Sequence, residues 1–269
     1  MKKVLLTIVI FVICLTFYGF FINTNGFSIK SQIIEIEDLS KSFDGFKILQ
    51  LSDFLIKDEK DLSRIEDISN KIEELNPDVI VFTGDLLYKD NNLNNEDINR
   101  LKNILKKMEA NLNKYAVIGD NDEKKEYSDI MNYADFKVLN NESNYIFYKD
   151  VTPIKITGLT SEKNVLKSLE MEDNLETSFN FVITHYPDYF NTLKNEDVDV
   201  VLAGHSLNGQ IIVPFYGGLI KCNKAKYYIN GSYIENGAKL FISGGIGTKD
   251  VNFRLFNKPQ INLYTLAIA

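Results

Sequence analysis

The stretch Val79-Ile80-Val81-Phe82-Thr83-Gly84-Asp85 joins a run of β-branched and aromatic residues to a glycine and an aspartate. An apolar run of this kind, without alternation, predicts a strand that is buried on both faces, as in parallel sheets. The same pattern occurs three more times, at 48–53, 181–185 and 200–205, where the runs end in Asp53, His185 and His205. Four predicted strands therefore each place a metal-binding side chain at the C-terminal end, the edge where open α/β sheets build their sites.

Each of these residues, taken singly, fits an ordinary polar residue that opens a loop after a strand. The chain has two histidines in all, His185 and His205, and both stand at such strand ends. Imidazole and carboxylate groups together are ligands that suit Mn, Fe and Zn ions. The same position in four predicted strands therefore favours a divalent metal site over four unrelated loop residues.

The composition fits one globular domain with a large core and one appendage: 269 residues, of which 45% are hydrophobic and 25% charged. The net charge is -7 and no basic stripe occurs, which argues against nucleic acid as a partner because that binding depends on Lys and Arg at phosphates. A divalent cation would still attract phosphate locally, so anionic substrates remain open. Cys14 and Cys222 are too few for a disulfide framework, and we interpret them as packing residues.

The appendage is the N-terminal segment, because residues 4–22 (VLLTIVIFVICLTFYGFFI) contain no charge. This length matches the roughly 20 apolar residues that span a bilayer and exceeds the core of a signal peptide, which has about 7–15 residues. No small-residue cleavage motif follows. We therefore predict an uncleaved signal anchor, a transmembrane helix over 1–22, with a cleaved signal peptide as the alternative. Lys2 and Lys3 then stay in the cytoplasm, and the rest of this single-pass protein lies outside it at the cell membrane.

Downstream of the anchor, a tether over 23–45 with an edge strand at 32–36 leads into one domain over 46–269. Strands are predicted in its first half at 46–52, 79–83 and 115–118, and helices at 61–75, 97–110 and 127–133. Strands dominate from about residue 145, at 145–148, 154–158, 179–184, 198–203, 210–213, 239–243 and 262–266, with a helical connection at 166–176. This order predicts an α/β fold in which two sheets pack together with helices outside.

Five short blocks follow the predicted strands in order. They read S-D-F-L at 52–55, G-D-L-L at 84–87, G-D-N-D at 119–122, T-H-Y-P-D at 184–188 and G-H-S-L-N-G-Q at 204–210. The series resembles the calcineurin-like metallophosphoesterase superfamily, whose blocks are D-x-H, G-D, G-N-H-D/E, H and G-H-x-H. The tail, with its segments at 241–248, 254–256 and 259–261, is similar to that of the small, membrane-anchored or exported bacterial branch.

The resemblance implies a fold of two packed mixed β-sheets flanked by helices, a four-layer α-β-β-α sandwich, with two divalent cations at the strand ends. It also implies hydrolysis of phosphoesters, in which two cations clamp the phosphoryl group and a hydroxide between them attacks phosphorus. The histidine of G-N-H-D/E then assists at the transition state or protonates the leaving group.

This chain departs from the family pattern at four positions, which are Leu55, Leu207, Asp120 and Asn121. Leu55 and Leu207 replace ligands of the first metal, which keeps Asp53 and the shared Asp85. The ligands of the second metal persist in usable form as Asp85, Asp120, His185 and His205. The resemblance therefore predicts one divalent ion (Mn, Fe or Zn) rather than two, with the leucines packed against each other over the vacated site. Asn121 stands where the family has its catalytic histidine.

Two functions remain open at this point. The first is an extracytoplasmic phosphoesterase of reduced activity, with Asp53 and Asn121 at its catalytic positions, acting on a phosphodiester or phosphoanhydride of a phosphorylated small molecule or lipid headgroup. The second is a non-catalytic surface domain that keeps the fold and binds a ligand or partner. One cation facing three aspartates leaves a net charge of about -1, which repels phosphate and favours the second function.

Overall fold

The computed structural model describes residues 1–160, 169, 175–177 and 179–269. Its helices are α1 (Lys2–Phe17), continued by a π-helical turn (Tyr18–Ile22), α2 (Glu59–Leu75), α3 (Asn95–Lys106), α4 (Lys124–Tyr133) and α5 (Phe190–Leu193). Its first seven strands are β1 (Ser28–Ile36), β2 (Lys47–Leu51), β3 (Val79–Phe82), β4 (Asn113–Ala116), β5 (Phe136–Val138), β6 (Glu142–Ile146) and β7 (Ile154–Leu159). The others are β8 (Phe179–Thr184), β9 (Val200–Ala203), β10 (Ile212–Val213), β11 (Gly217–Gly218), β12 (Ser232–Glu235), β13 (Ala238–Ile242) and β14 (Gln260–Ile268).

The strands form two six-stranded mixed sheets and a small β10-β11 hairpin. The first sheet has the order β1-β14-β2-β3-β4-β5, and the second has the order β12-β13-β9-β8-β7-β6. Strands β2 to β5 run parallel, as do β13, β9, β8 and β7. Helices α2, α3 and α4 connect successive parallel strands of the first sheet. The predicted fold class, an α/β protein with two mixed sheets flanked by helices, is confirmed.

The parallel strands are apolar on both faces because both sides of each sheet are covered. In β3, Val79 and Val81 pack between the two sheets, whereas Ile80 and Phe82 pack in the cluster that includes α2, α3 and α4. The outer face of the second sheet packs with Phe190 of α5. Successive side chains along the strand point to opposite faces and pack into two different hydrophobic cores. Because both faces are buried, the run at 79–82 has no polar residues.

The N-terminus of α3 is closed by a capping box. The side chain of Asn94 accepts hydrogen bonds from the backbone N–H groups of Glu96 (2.8 Å) and Asp97 (3.1 Å), and the Asp97 carboxylate accepts one from the Asn94 N–H (3.0 Å). These bonds satisfy donors that the first helical turn leaves free.

We expect Asn94→Ala to lower the free energy of unfolding by about 1 kcal/mol, because the cap bonds are lost while the helix persists. Urea unfolding of the full chain in detergent, followed by circular dichroism, measures the change. The matched control is Asn95→Ala, an exposed asparagine at the next position, which should change stability by less than about 0.5 kcal/mol. Equal losses in the two variants would contradict a capping role.

Several element boundaries differ from the predicted ones. The helix predicted at 97–110 ends at Lys106, because Asn111 and Leu112 donate backbone hydrogen bonds to Pro77 and Asp78 and lead the chain into β4 at Asn113, two residues before the predicted start. Strands β5, β11 and β12 were missed; all three are short, and β12 is largely exposed. The edge strand predicted at 32–36 is confirmed and begins earlier, at Ser28. The helical connection predicted at 166–176 lies mostly outside the described residues.

Helix α1 and its π-helical turn form one apolar segment, Lys2–Ile22, which is long and apolar enough to cross a membrane. Its end is held to the domain at Gly19, whose carbonyl accepts a hydrogen bond from the Arg254 N–H (3.1 Å). A Cβ at Gly19 would lie 2.2 Å from the Phe253 ring, so a larger residue would require that ring to move. The preceding part of the segment has no buried residue and projects from the domain.

Candidate metal centre

The two sheets meet at the C-terminal ends of their parallel strands. Asp53, Asp85 and Asp120 follow β2, β3 and β4 of the first sheet, and His185 and His205 follow β8 and β9 of the second. Several hydrogen bonds join the sheets beneath this edge: Gln50 donates to the Ala203 carbonyl (2.9 Å), and the His205 N–H donates to Asp53 Oδ2 (3.0 Å). The predicted site residues therefore lie on one edge, contributed by both sheets.

The backbone at this edge is strained. Asp53, Asp85 and His205 have φ angles of 50°, 60° and 67°, a region that side chains with a Cβ rarely adopt. Gly84 makes the turn before Asp85 with φ of 91°, and a Cβ there would lie 2.8 Å from His185 Nδ1. Strain of this kind, about 1–3 kcal/mol per residue, persists where the surrounding structure enforces it and concentrates at functional sites.

Four side chains form what we call the ligand cluster: Asp85, Asp120, His185 and His205. Their candidate ligand atoms all lie within 4.8 Å of one another. His185 Nε2 lies 3.0 Å from Asp120 Oδ1 and 3.3 Å from Asp85 Oδ2, and His205 Nδ1 lies 3.0 Å from the same Asp120 oxygen. Ligands bonded to one ion at about 2.1 Å lie roughly 3.4 Å apart in tetrahedral geometry. The cluster thus has dimensions that suit a metal ion.

The outward ring nitrogens of both histidines are already used. His185 Nδ1 lies 2.7 Å from the Thr83 carbonyl oxygen, and His205 Nε2 lies 2.7 Å from the Asn223 carbonyl oxygen. Because a carbonyl oxygen only accepts hydrogen bonds, His185 Nδ1 and His205 Nε2 carry the ring protons. In the neutral rings, the lone pairs therefore lie on His185 Nε2 and His205 Nδ1. These two nitrogens face each other at 3.1 Å. Two facing lone pairs beside carboxylates require a cation between them, and backbone carbonyls are usual partners of metal-ligating histidines. The residues present fit a divalent ion.

In the protein without a cation, protons take that role. Burial lowers the pKa of His185, but the adjacent carboxylates of Asp85 and Asp120 outweigh it, and the pKa lies well above its usual value. For the Asp120 carboxyl group, burial acts in the opposite direction and raises the pKa. The hydrogen bonds of Asp120 with both histidines outweigh this effect, so its pKa lies below the ordinary value. A metal ion therefore competes with protons for the cluster.

Asn121 and Asp122 hold the Asp85 loop in place. The Asn121 side-chain amide donates to Asp85 Oδ2 (2.7 Å), and its backbone N–H donates to Asp85 Oδ1 (2.9 Å). The Asp122 carboxylate accepts hydrogen bonds at 2.8 Å from the N–H groups of Asp85, Leu86 and Gly119. Burial raises the pKa of Asp122 to about 7. Asn121, predicted at the position of a catalytic histidine, thus has its side chain engaged with a ligand of the cluster.

Asp53 lies beside the ligand cluster but outside it. Its Oδ2 accepts from the Ser52 hydroxyl and the His205 N–H, whereas its Oδ1 is buried and has no hydrogen-bond partner among the described residues. Burial raises the pKa of this carboxyl group. An unpaired buried carboxylate oxygen is costly unless a proton or cation meets it.

Leu55 and Leu207 are almost fully buried, with 1% and 2% of their surface exposed. Their φ angles are 47° and 51°, although leucine gains nothing from that conformation. Both leucines therefore stand in a backbone conformation that is unfavourable for them, and neither side chain supplies a ligand atom. Their packing against each other over the vacated site stays a prediction.

Lys249 is the residue at this edge that the sequence reasoning missed. Its Nζ lies 3.5 Å from His205 Nδ1. Burial lowers the pKa of Lys249, but the carboxylates of Asp120, Asp85 and Asp53 outweigh it, and the pKa lies above its ordinary value. The ammonium group adds a positive charge beside the three carboxylates, which the net charge of about -1 expected from the sequence did not include. The available signal was its place directly after the G-G-I-G-T segment of the tail.

Comparison with known proteins agrees with this geometry. The sequence model of the calcineurin-like phosphoesterases matches residues 46–209. The uncharacterized metallophosphoesterase YkuE of Bacillus subtilis is 30% identical over 253 residues, which cover 91% of this chain and 85% of that protein. Two more distant relatives are named for a reaction. They are the UDP-2,3-diacylglucosamine pyrophosphatase LpxG of Chlamydia muridarum, 24% identical and covering 81% of this chain and 82% of that protein, and the phosphodiesterase YaeI of Escherichia coli, 25% identical and covering 82% of each. The chain therefore belongs to the calcineurin-like phosphoesterase family.

Proposed function

We propose that this protein is a membrane-anchored, metal-dependent phosphoesterase that works with one divalent ion. The observation that carries the proposal is the convergence of two fixed imidazole lone pairs and two carboxylates in the ligand cluster, at the strand ends of the family's fold. The carbonyl groups of Thr83 and Asn223 orient the imidazoles before any ion binds. Such preorganisation is typical of a site that binds metal rather than of a satisfied polar core.

Asp85, Asp120, His185 and His205 would hold the ion, for which Mn, Fe and Zn suit this ligand set. A bound ion of this kind supplies Lewis acidity toward a phosphoryl oxygen and lowers the pKa of a water molecule. Lys249 would attract the phosphoryl oxygens from beside His205, and its charge makes the site acceptable to an anion. Asn121 has an amide and not a titratable group, so we assign it the positioning of Asp85. Asp53 would position the His205 backbone.

We further propose that the protein is divided into an anchor at 1–22, a tether with an edge strand at 23–45 and a phosphoesterase domain at 46–269. The apolar segment Lys2–Ile22 would cross the cell membrane once. Lys2 and Lys3 would remain in the cytoplasm, so that the domain and the metal centre lie on the extracytoplasmic side.

The bond that is cleaved would be a phosphodiester or a phosphoanhydride of a phosphorylated small molecule or a lipid headgroup. Two relatives, named as a phosphodiesterase and as a pyrophosphatase of a diacylated nucleotide sugar, support these two bond types. The side chains of His185 and His205 are each at most 4% exposed, whereas the Asp120 side chain is about half exposed. A phosphoryl group would therefore approach from the side of Asp120.

A non-catalytic surface domain is the second candidate, and a specific observation favours it. Leu55 and Leu207 remove two ligands of the first metal, and Asn121 removes a group that could protonate a leaving group. Such a domain would bind its ligand or partner with the family's fold and without turnover.

The deciding experiment uses the full chain in detergent with bis(4-nitrophenyl) phosphate and Mn²⁺, Fe²⁺ or Zn²⁺. We expect release of nitrophenol that requires one of these ions and stops with excess chelator. Binding of one ion per chain without turnover of this activated diester would select the non-catalytic domain. No binding of any ion would contradict both the metal centre and the phosphoesterase.

The number of ions can be changed by design. We expect Leu55→His with Leu207→His to raise the bound Mn²⁺ from one to two per chain, because the substitutions restore the two histidines that the family pattern carries at these positions. Phosphodiester turnover should rise about tenfold as the second ion joins the site. Metal content after dialysis measures the stoichiometry. The control, Leu55→Phe with Leu207→Phe, adds bulk without ligand nitrogen and should stay at one ion or below; two ions in the unmodified chain would contradict the one-ion site.

A further inference from the structure

A cavity of about 580 Å³ lies between the N-terminal segment and the ligand-cluster edge of the domain. We call it the anchor cavity. Thr16 and Phe20 of the apolar segment form one wall, and Ile211, Ile220 and Phe253 are among the domain residues that form the other. The volume falls within the range of about 300–1,000 Å³ that small-molecule sites occupy. Most of its lining is apolar, so its occupant must be apolar over most of its length.

The wall formed by the apolar segment is firmly attached. The Arg254 N–H donates to the Gly19 carbonyl (3.1 Å), and the Asn23 side-chain amide donates to the Arg254 carbonyl (3.2 Å). The rings of Phe20 and Phe253 meet edge to face with their centroids 4.8 Å apart. The last turns of the segment that would cross the membrane therefore form part of the cavity wall.

Several large apolar side chains near the anchor cavity are exposed. Phe215 on the β10-β11 hairpin is fully exposed, and Leu219, Val251 and Phe256 are each about half exposed. Residue 256 packs near the segment itself, with its ring centroid 6.3 Å from that of Tyr18. Aromatic and aliphatic residues beside the end of a membrane-spanning helix sit at the boundary between lipid and water. The mouth of the cavity would thus face the acyl chains of the outer leaflet.

Part of the cavity lining is polar and belongs to the metal centre. His205 of the ligand cluster and Lys249 both line the cavity, as does Asp250 beside Lys249, and His205 Nδ1 and Lys249 Nζ lie 3.5 Å apart. An occupant therefore has room for an apolar chain along Phe20 and Ile220 while an anionic group meets the ammonium of Lys249. A phosphate ester with a long hydrocarbon chain has this distribution of charge and apolar surface.

We propose that the anchor cavity binds the hydrocarbon chain of a membrane lipid whose phosphate group is presented to the metal centre. This inference rests on the proposed phosphoesterase function and names its substrate class, a lipid phosphodiester or diphosphate taken laterally from the bilayer. The apolar segment then has two roles, as anchor and as one wall of the substrate site. A water-soluble phosphodiester would use the metal centre without this chain contact.

Chain-length dependence tests the proposal on the full chain in detergent. Each methylene that leaves water can improve apparent affinity by up to about fourfold, so dodecyl 4-nitrophenyl phosphate should have at least a tenfold higher kcat/KM than methyl 4-nitrophenyl phosphate. Ile220→Glu, which places a charge in the cavity, should reduce that ratio to about one. Ile234→Glu is the control, since Ile234 on β12 is 70% exposed and does not line the cavity; it should keep the ratio. Equal ratios in the two variants would overturn the proposal.

Photolabelling tests the same site without turnover. A dodecyl phosphate with a diazirine at its chain end, irradiated with the full chain in lipid nanodiscs, should label residues 209–220 and 251–253, and Ile220→Glu should reduce that labelling at least fivefold. An uncharged dodecanol diazirine is the control for bulk lipid contact and should label mainly residues 4–15. Labelling by the phosphate at 4–15 alone would overturn the proposal. Loss of turnover with the labelling retained would instead contradict only the phosphoesterase function.

Discussion

Replacing His185 with alanine is expected to abolish metal-dependent turnover and to weaken Mn²⁺ binding by more than about 100-fold, because the ligand itself is lost. His185 Nε2 contacts both carboxylates of the ligand cluster, at 3.0 Å and 3.3 Å, and the ring is fully buried. No neighbouring side chain can take its place, since the other histidine in the chain, His205, is already in the cluster.

Isothermal titration with Mn²⁺ and thermal unfolding measure this effect independently of activity. At 100 times its Kd, an ion stabilises the folded chain by about 2.7 kcal/mol, and His185→Ala should lose this increment. Tyr186→Phe is the control for packing, because the Tyr186 ring lies against both imidazoles with centroids 5.1 Å apart and the substitution keeps the ring. It should change the Kd by less than about threefold. Retained binding in His185→Ala would mean that the ligand cluster is not the metal site.

Lys249→Met is expected to lower kcat/KM for the phosphodiester by about 10- to 100-fold while metal affinity stays the same or increases. The ammonium lies among carboxylates and would attract the phosphoryl oxygens, and a unit charge near a protein surface is worth up to about 4 kcal/mol at 4 Å. The same charge repels a divalent ion in the ligand cluster, so its removal favours metal binding. Opposite signs for substrate and metal distinguish this role from a general loss of structure.

The test compares Lys249→Met, Lys249→Arg and Lys221→Met in Mn²⁺ titrations and in inhibition by inorganic phosphate. Phosphate should inhibit Lys249→Met about tenfold more weakly, and Lys249→Arg should recover most of the difference because it keeps the charge. Lys221 is an exposed lysine on the loop after β11, and its replacement controls for net charge. A weaker metal affinity in Lys249→Met would show that the lysine supports the ligand cluster instead of the substrate.

Much of the ligand cluster follows from local pattern. A strand that is buried on both faces has an unbroken run of apolar residues in the sequence. The first polar residue after this run therefore lies at the end of the strand. Asp85, His185 and His205 were predicted on this basis, and Asp120 by the order of the blocks that resemble the family. The parallel strands place all of these residues on one edge, because β-α-β connections return every strand in the same direction.

Other features depend on contacts that no local pattern contains. The orientation of the His205 ring is set by the Asn223 carbonyl, 18 residues along the chain, and that of the His185 ring by Thr83, 102 residues away. Asn121 was expected at a catalytic position, yet its amide is bound to Asp85. Such partners are selected by how the loops pack, and a sequence without its fold gives no distance between them.

The sequence alone determined the strand ends, the ligand types at them and the apolar N-terminal segment, because these depend on hydrophobic periodicity and on which residue follows each run. Only the tertiary structure decided that these side chains form one cluster, with ligand atoms within 4.8 Å of one another, that Lys249 lies beside it and that the N-terminal segment forms the wall of a cavity. The physical reason is that two sheets joined through a shared core bring residues from 85 to 249 to one point. The position of that point is set by side-chain packing between the sheets and not by any single segment.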